Sequence, residues 1–243
     1  MNDRVLQSLM QLFGVIANID GISVRERDIV LSFLKQDVHS ADVEKYISIF
    51  DQYVEHQHHA LDKKDGVAKR TSLNSVKIFK ICIDINKDLD QSQKVVLLIR
   101  LLEFAFSSQD IISEQEYEFI AIVVDALNIP SEEFKLLKSF VESAIEKIRD
   151  TENLLLISNK TESSSRLKHM TYTDLMDDVK ISTVKIPSVG MYAFKIIGNQ
   201  ELILNGKSIS SGPIHVLIKG SSLRYGTSKP IYYHEIIRAF SNF

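Results

Sequence analysis

Cysteine is almost absent from this chain of 243 residues, since Cys82 is the only one. Cys82 lies in an apolar run that is typical of a helix, so we expect a buried thiol in a reducing compartment rather than half of a disulfide. A large excess of charge of either sign is also missing, because the formal net charge is −3. The composition therefore gives no reason to expect binding to nucleic acid.

Long hydrophobic runs are missing as well. The most apolar stretch, Val95 to Phe106, is interrupted by Arg100 and Glu103. It is far shorter than the roughly 20 residues that cross a bilayer as a helix. The amino terminus leads into an amphipathic pattern and does not have the layout of a signal peptide. We therefore expect a cytoplasmic chain with no membrane span of its own.

The common catalytic motifs are missing too. Neither Gly-x-Ser-x-Gly nor His-Glu-x-x-His occurs in the sequence. The segment Asn205-Gly206-Lys207-Ser208 has the end of a phosphate-binding loop but not its first glycine, and its context is a hairpin rather than a strand followed by a helix. We therefore expect no bound nucleotide and no enzyme activity from these residues.

One segment is present twice. Residues 17–26 and 107–116 each contain an Asp, then Ile-Ser, then a Glu three residues after the Ser. Each copy follows one apolar helical pattern and precedes another. A repeat at a fixed offset is evidence about architecture, so we expect two equivalent halves in one helical domain.

The repeated residues allow two interpretations. Ser23 with Glu26, and Ser113 with Glu116, fit a capping box, in which the Ser and Glu side chains each bond to the other residue's backbone N–H. In the first interpretation the segments only build a turn and a helix start. In the second, four carboxylates converge and form an acidic metal site: Asp20, Glu26, Asp110 and Glu116.

The spacing of apolar residues predicts seven helices in residues 1–150. Their expected bounds are 5–19, 24–37, 41–58, 72–87, 91–107, 114–127 and 132–148. Asp90 and Gln93 form another capping box before the fifth helix. That helix is apolar nearly all round, which predicts that its neighbours bury it.

The pattern changes after residue 150. A polar, serine-rich stretch at 161–166 predicts a linker over 151–170, although residues 154–157 could pair as a strand. Residues 171–243 alternate as strands do and end in a short helical pattern at 233–240. Asn205-Gly206 is a strong hairpin signal. The expected fold class is α+β, with a seven-helix duplicated bundle followed by a small antiparallel β domain.

On its duplicated Asp-x-Ile-Ser-x-x-Glu segments, the helical part resembles the TerB-like family, which is named for tellurite resistance. The resemblance implies a seven-helix domain with an internal duplication. It also implies that Asp20, Glu26, Asp110 and Glu116 hold a divalent cation, calcium or magnesium, in a metal-sensing protein of a tellurite or stress-resistance system. No other cofactor is implied.

The order of the two parts carries a second resemblance. A TerB-like domain followed by Leu204-Asn205-Gly206, Gly220-Ser221-Ser222 and Lys229-Pro230-Ile231-Tyr232-Tyr233 is similar to the N-terminal region of ABC transporter ATP-binding proteins of the Bacteroides group. The resemblance implies a non-catalytic regulatory or docking module whose partners are other proteins or other domains of the same membrane protein. The ATP-hydrolysing part and an inner-membrane anchor would lie beyond residue 243.

Three further patterns indicate a function less strongly. His56 and His59 would share a helix face, which could be a ligand pair or only a solvated helix end. The segment 84–90 imitates a calcium loop but has Leu89 where that loop needs Gly, so we expect a helix end and the next cap. The β part is distantly similar in layout to forkhead-associated domains. It lacks their Gly-Arg and Ser-x-x-His residues, so we do not expect phosphothreonine binding.

Overall fold

A computed structural model describes residues 3–17, 24–61, 67–108, 112–149, 151–160 and 167–241. These residues form eight α-helices and two β-sheets whose strands are mostly antiparallel, which confirms the mixed α and β composition. The chain divides into two compact units, Met1–Phe134 and Lys135–Phe243. The boundary at residue 150 and the linker over 151–170 stay predictions, and the serine-rich residues 161–166 lie outside the described part of the chain.

The seven helices before the strands are α1 Asp3–Ile16, α2 Val24–Asp37, α3 Val43–Leu61, α4 Val67–Asp88, α5 Gln91–Ser108, α6 Glu114–Ala126 and α7 Ser131–Glu142. In the first unit α1 packs on α3 and α4, α2 packs on α5, and α4 packs on α6. The bounds of α2 agree with the sequence pattern.

Phenylalanines from four helices form the centre of the first unit. The ring of Phe13 in α1 lies 5.0 Å from that of Phe104 in α5 and 6.1 Å from that of Phe33 in α2. Phe50 in α3 completes the cluster, with its ring 6.1 Å from Phe104. Such pairs add to the burial of apolar area, which is the main stabilising term. The expected burial of α5 is confirmed, because eight of the eleven residues along Val95–Ala105 are buried and the other three are partly buried.

The starts of α5 and α6 have the capping boxes that the sequence pattern indicates. Before α5, Gln93 N–H donates to Asp90 Oδ1 at 2.9 Å and Asp90 N–H donates to Gln93 Oε1 at 3.0 Å, which confirms that capping box. The segment 84–90 is therefore the end of α4 and the next cap, as expected. The Ser113 box before α6 is also present.

Helix α7 is shorter than the range 132–148 that the sequence pattern predicts. It ends at Glu142, and the chain becomes extended at Ala144 before a short 3-10 helix, Ile145–Lys147. The Lys195 ammonium group donates to the carbonyls of Phe140 and Ser143, which lie at this end. The last carbonyls of a helix have no partner within it, so a cation from elsewhere can satisfy them there.

Nine strands and one helix complete the second unit. The strands are β1 Leu154–Ser158, β2 Lys168–Thr171, β3 Lys180–Ile186, β4 Met191–Ile197, β5 Leu202–Leu204, β6 Lys207–Ile209, β7 His215–Leu217, β8 Ser222–Arg224 and β9 Ile231–Tyr232, and the helix is α8 Tyr233–Ser241. One sheet has the order β2-β1-β3-β4-β7 and the other the order β6-β5-β8-β9.

The second unit has one hydrophobic core to which both sheets and α8 contribute. Phe194 in β4, Leu223 in β8 and Phe240 in α8 are among its buried members. The β domain differs from the expected antiparallel arrangement at one place, because β1 and β2 run parallel. The hairpin at Asn205-Gly206 is confirmed: both residues have positive φ, 52° and 85°, as a two-residue turn between β5 and β6 requires.

Candidate functional site

The predicted acidic site is described in part, beginning with Glu116. Ser113 precedes α6 with an extended backbone, and its hydroxyl accepts from the Glu116 N–H at 3.2 Å. In return Glu116 Oε2 accepts from the Ser113 N–H at 2.8 Å and from the Ser113 hydroxyl at 2.6 Å. One oxygen of this carboxylate is therefore used in the helix start.

The second oxygen of Glu116 is in a different position. Glu116 is only 6% exposed, and its Oε1 atom is buried and accepts no hydrogen bond from a described residue. Glutamate is seldom buried in proteins unless it is paired. A buried carboxylate oxygen without a donor is costly, and capping does not explain its burial.

Glu26 occupies the matching place in the first copy. It is the third residue of α2, as Glu116 is the third residue of α6, and it is fully buried. Asp20, Ser23 and Asp110 lie outside the described residues. The structure therefore places two of the four predicted site residues, Glu26 and Glu116, in equivalent positions and shows nothing of the remaining two.

Within the described residues, no three His, Cys, Asp or Glu side chains come together as a metal site would need. The residues of the histidine tract lie in the last turns of α3, but the side chains of His56 and His59 are outside the described part of the structure. Neither their use as ligands nor their solvation is tested.

A groove of about 770 Å³ lies at one end of the second unit. It is lined by residues of three connections: Asp174 between β2 and β3, the turn 199–201 between β4 and β5, and the turn 226–228 between β8 and β9. Residues of β5 and β6 form its floor. We call it the loop groove, after the connections that line it. Loops on a rigid sheet scaffold are where binding residues are commonly found.

The charge of the loop groove is negative. Asp174 and Glu201 contribute carboxylates, and none of the described residues that line the groove is a lysine or an arginine. Ser208 Oγ donates to Glu201 Oε2 at 2.6 Å, which holds this carboxylate in place. Hydroxyl and amide groups provide the rest of the polar surface. The arrangement can accept hydrogen bonds from a cationic ligand and repels an anionic one.

Hydrogen bonds fix the turn 226–228, which lines the loop groove. Tyr225 N–H donates to Ser228 Oγ at 3.1 Å and Ser228 N–H donates to the Tyr225 carbonyl at 2.9 Å, so the turn closes on itself. The Tyr172 hydroxyl bonds to Ser228 Oγ and donates to the Lys229 carbonyl at 2.8 Å. The turn 226–228 is therefore held by its own hydrogen bonds and by the Tyr172 side chain, which belongs to the connection between β2 and β3.

A glycine directly precedes the turn 199–201 of the loop groove. This residue, Gly198, has φ of 107°. A Cβ atom at this position would lie 2.6 Å from the Asp178 carbonyl oxygen, which no side chain tolerates. Positive φ and close backbone approach are the two situations in which glycine is required. Gly198 therefore lets this turn pass close to the backbone before β3.

No motif in the sequence points directly to the loop groove. Its residues are spread over residues 174–228 and have no spacing characteristic of a site. The turn signals Gly198-Asn199 and Gly226-Thr227-Ser228 were available as loop markers. Turn signals do not say which loops meet, because that depends on the order of strands in the sheets.

The chain matches no family model, no curated protein and no solved structure. Among the described helices, none is both long and apolar enough to cross a membrane.

Proposed function

We propose that the 243 residues of this chain form a non-catalytic regulatory or docking module of an ABC-type ATP-binding membrane protein. The proposed module consists of a TerB-like helical domain and a small β domain. ATP hydrolysis and membrane insertion belong to parts of the protein beyond residue 243. The observation that carries the docking role is the acidic loop groove of the second unit.

The loop groove suits a basic peptide segment. Two carboxylates, Asp174 and Glu201, lie among hydroxyl and amide groups with no lysine or arginine in the described lining. An extended segment with Lys or Arg side chains would find acceptors for its charged donors, and such charge-assisted bonds are stronger than neutral ones. A phosphorylated segment would meet carboxylates of its own sign. The groove therefore favours a ligand opposite in charge to the one that forkhead-associated domains bind.

Two equivalent helix starts support the TerB-like assignment of the helical unit. α2 begins at Val24 and α6 begins at Glu114, which preserves the 90-residue offset (114 minus 24) of the repeated segments. Glu26 and Glu116 are buried at the same position of these two helices. A duplicated bundle accounts for both the constant offset and the matching burial, because each half would repeat the same helix start.

Calorimetry with short peptides tests the docking role. A hexapeptide with three lysines is expected to bind the chain, and a matched hexapeptide with three glutamates is not. Asp174→Asn with Glu201→Gln removes both charges of the loop groove and is expected to abolish the binding. Equal affinity for the two peptides would refute a charge-selective groove. Sustained hydrolysis of ATP by these 243 residues would refute the non-catalytic assignment.

A second candidate is a divalent-cation sensor that uses Asp20, Glu26, Asp110 and Glu116. The observation that favours it is the buried Oε1 atom of Glu116, together with the buried Glu26 at the matching position. Carboxylate oxygens suit calcium and magnesium. A cation bound only to the folded chain would raise its melting temperature.

A thermal-shift titration with calcium and magnesium decides this candidate. The sensor requires stabilisation by one of the two ions and loss of that response in Asp20→Asn/Asp110→Asn. Glu201→Gln, in the second unit, is the control and should leave the response intact. No stabilisation by either ion, or an unchanged response in the double variant, eliminates the sensor.

A further inference from the structure

Helix α4 exposes a stripe of large apolar side chains. Val76 and Phe79 are 53% and 52% exposed and Ile83 is 42% exposed. They are spaced by three and four residues, so they lie on one side of the helix. The opposite side of α4 is buried in the first unit through Ile78, Cys82 and other residues. Three large exposed apolar groups in a row are typical of an interaction surface. We call Val76, Phe79 and Ile83 the α4 stripe.

Charged residues border the α4 stripe in a particular order. Lys77 and Lys80 come first along the helix, and Asp84 and Asp88 follow about two turns later. All four are exposed. At 100° per residue, all four fall on the same flank of the stripe. Lys77, Lys80 and Asp88 have no ion-pair partner among the described residues, whereas Asp84 bonds to Lys87 at 2.8 Å.

This order is complementary to itself. In an isologous dimer the contacts are reciprocal. If residue i of one copy contacts residue j of the other, then residue j of the first copy contacts residue i of the second. An antiparallel pairing about a twofold axis near residues 81–83 keeps the charged flanks on the same side. It places Lys80 opposite the partner's Asp84 and Lys77 opposite the partner's Asp88. Phe79 then faces the partner's Ile83. A parallel twofold pairing would put the two charged flanks on opposite sides.

We propose that the α4 stripe is the interface of a homodimer in which α4 packs antiparallel against α4 of a second copy. The apolar stripe supplies the buried area, and the flanking charges set orientation, as charged flanks do in coiled coils. A membrane surface is disfavoured as the occupant because Asp84 and Asp88 offset the attraction of Lys77 and Lys80 for anionic headgroups. The dimer is independent of the loop groove and of the proposed docking role.

One pair of helices makes a small interface, at the low end of specific contacts, below about 1,200 Å² in total. Reversible association is therefore expected, visible by sedimentation velocity of the full chain between about 1 µM and 1 mM. Phe79→Glu should abolish the dimer, and because the side chain is half exposed the fold should persist. Ile218→Glu is the matched control, since Ile218 is 62% exposed but lies in the second unit, and it should dimerise like the unmodified chain.

A charge exchange tests the antiparallel register. Lys77→Glu alone places two acidic groups together at both ends of the dimer, and Asp88→Lys alone places two basic groups together. Each variant should dimerise about tenfold more weakly than the unmodified chain, because two attractive pairs in each dimer become repulsive. An equimolar mixture should recover association, because each mismatched group then meets one of opposite charge.

Three results would overturn the proposal. One is a chain that stays monomeric over the whole concentration range. Another is a dimer that survives Phe79→Glu or whose charge variants do not recover on mixing. The third is a monomer that binds vesicles of phosphatidylcholine and phosphatidylserine through Phe79, which would assign the stripe to a membrane.

Discussion

The carboxylate of Glu116 closes the start of α6 by accepting from both the backbone N–H and the hydroxyl of Ser113, at 2.8 and 2.6 Å. The same carboxylate keeps its other oxygen, Oε1, buried and without a donor among the described residues. One oxygen of this side chain therefore closes the helix start, and the other is an acceptor that no described residue uses. The oxygen that caps the helix has a structural role, and a role in binding would have to use the other oxygen.

Removal of the Ser113 hydroxyl measures the structural role. Ser113→Ala is expected to lower the free energy of unfolding by about 1 kcal/mol, the usual cost of losing a helix N-cap. Chemical denaturation of the full chain measures the change. Ser210→Ala is the control, because Ser210 is exposed and is not at a helix start, and it should change stability little. Equal stability of the two variants would show that the capping box does not stabilise α6.

Gly198 is expected to be the least replaceable glycine of the second unit. Gly198 and Gly212 have nearly the same φ, 107° and 112°, so alanine at either carries a similar backbone strain. Only at Gly198 would the new Cβ meet a backbone oxygen, that of Asp178 at 2.6 Å. Gly198→Ala should therefore cost at least about 1 kcal/mol more than Gly212→Ala, as cases of overpacking do. Equal thermal denaturation midpoints would contradict the close approach.

Lys195 should stabilise the second unit through the end of α7. Its ammonium group donates to the Phe140 carbonyl at 2.6 Å and to the Ser143 carbonyl at 2.9 Å. Lys195→Met leaves both carbonyls without this donor, and we expect a loss of about 1–3 kcal/mol. Lys207→Met, on an exposed residue of β6, is the control. A stable Lys195→Met variant would mean that desolvation of the ammonium group cancels its hydrogen bonds.

The stability difference between the wild-type chain and Lys195→Met should depend on pH. Burial lowers the pKa of Lys195 below its ordinary value of 10.5, and the Glu146 carboxylate opposes part of this effect. The unfolded chain then binds the proton more tightly than the folded chain. The free energy of unfolding contributed by Lys195 therefore rises with pH between the lowered pKa and 10.5, and is constant below it. A contribution that falls over this range would contradict the direction of the shift.

Cys82 should be unreactive in the folded chain. It is fully buried in α4, and burial raises the pKa of its thiol from 9.0 to about 12. Since the thiolate is the reactive form, the shift alone reduces reaction near pH 8 by roughly 1,000-fold. Alkylation with iodoacetamide, followed by mass spectrometry, should label the protein only in denaturant. Rapid labelling without denaturant would show that α4 opens readily.

Local signals predicted the elements that depend on neighbouring residues. Asn205-Gly206 identified its hairpin because the positive φ of both residues is a property of the turn itself. Asp90 and Gln93 identified a helix start for a similar reason. The alternating pattern over 171–243 does not single out β8 and β9, because each has only two or three residues and is formed by pairing with other strands.

The site was harder to predict than the fold. The repeat identified Glu26 and Glu116 as equivalent, and their burial follows from the helices that carry them. The loop groove joins Asp174, the turn 199–201 and the turn 226–228, which meet only through the order of strands in two sheets. Periodicity in the sequence contains no information about that order. The donor at the end of α7 is also distant in sequence, because Lys195 lies 55 residues after Phe140.

The docking role is tested most directly by mapping where a basic peptide binds. Nuclear magnetic resonance of the ¹⁵N-labelled chain, titrated with the three-lysine hexapeptide, reports each backbone amide separately. The account predicts shifts confined to the lining of the loop groove, with none in the Asp174→Asn/Glu201→Gln variant; the lining is Asp174, 199–201, Ile203, Ser208 and 225–228. Absent shifts, shifts elsewhere in the chain, or the same shifts with the three-glutamate hexapeptide would contradict it.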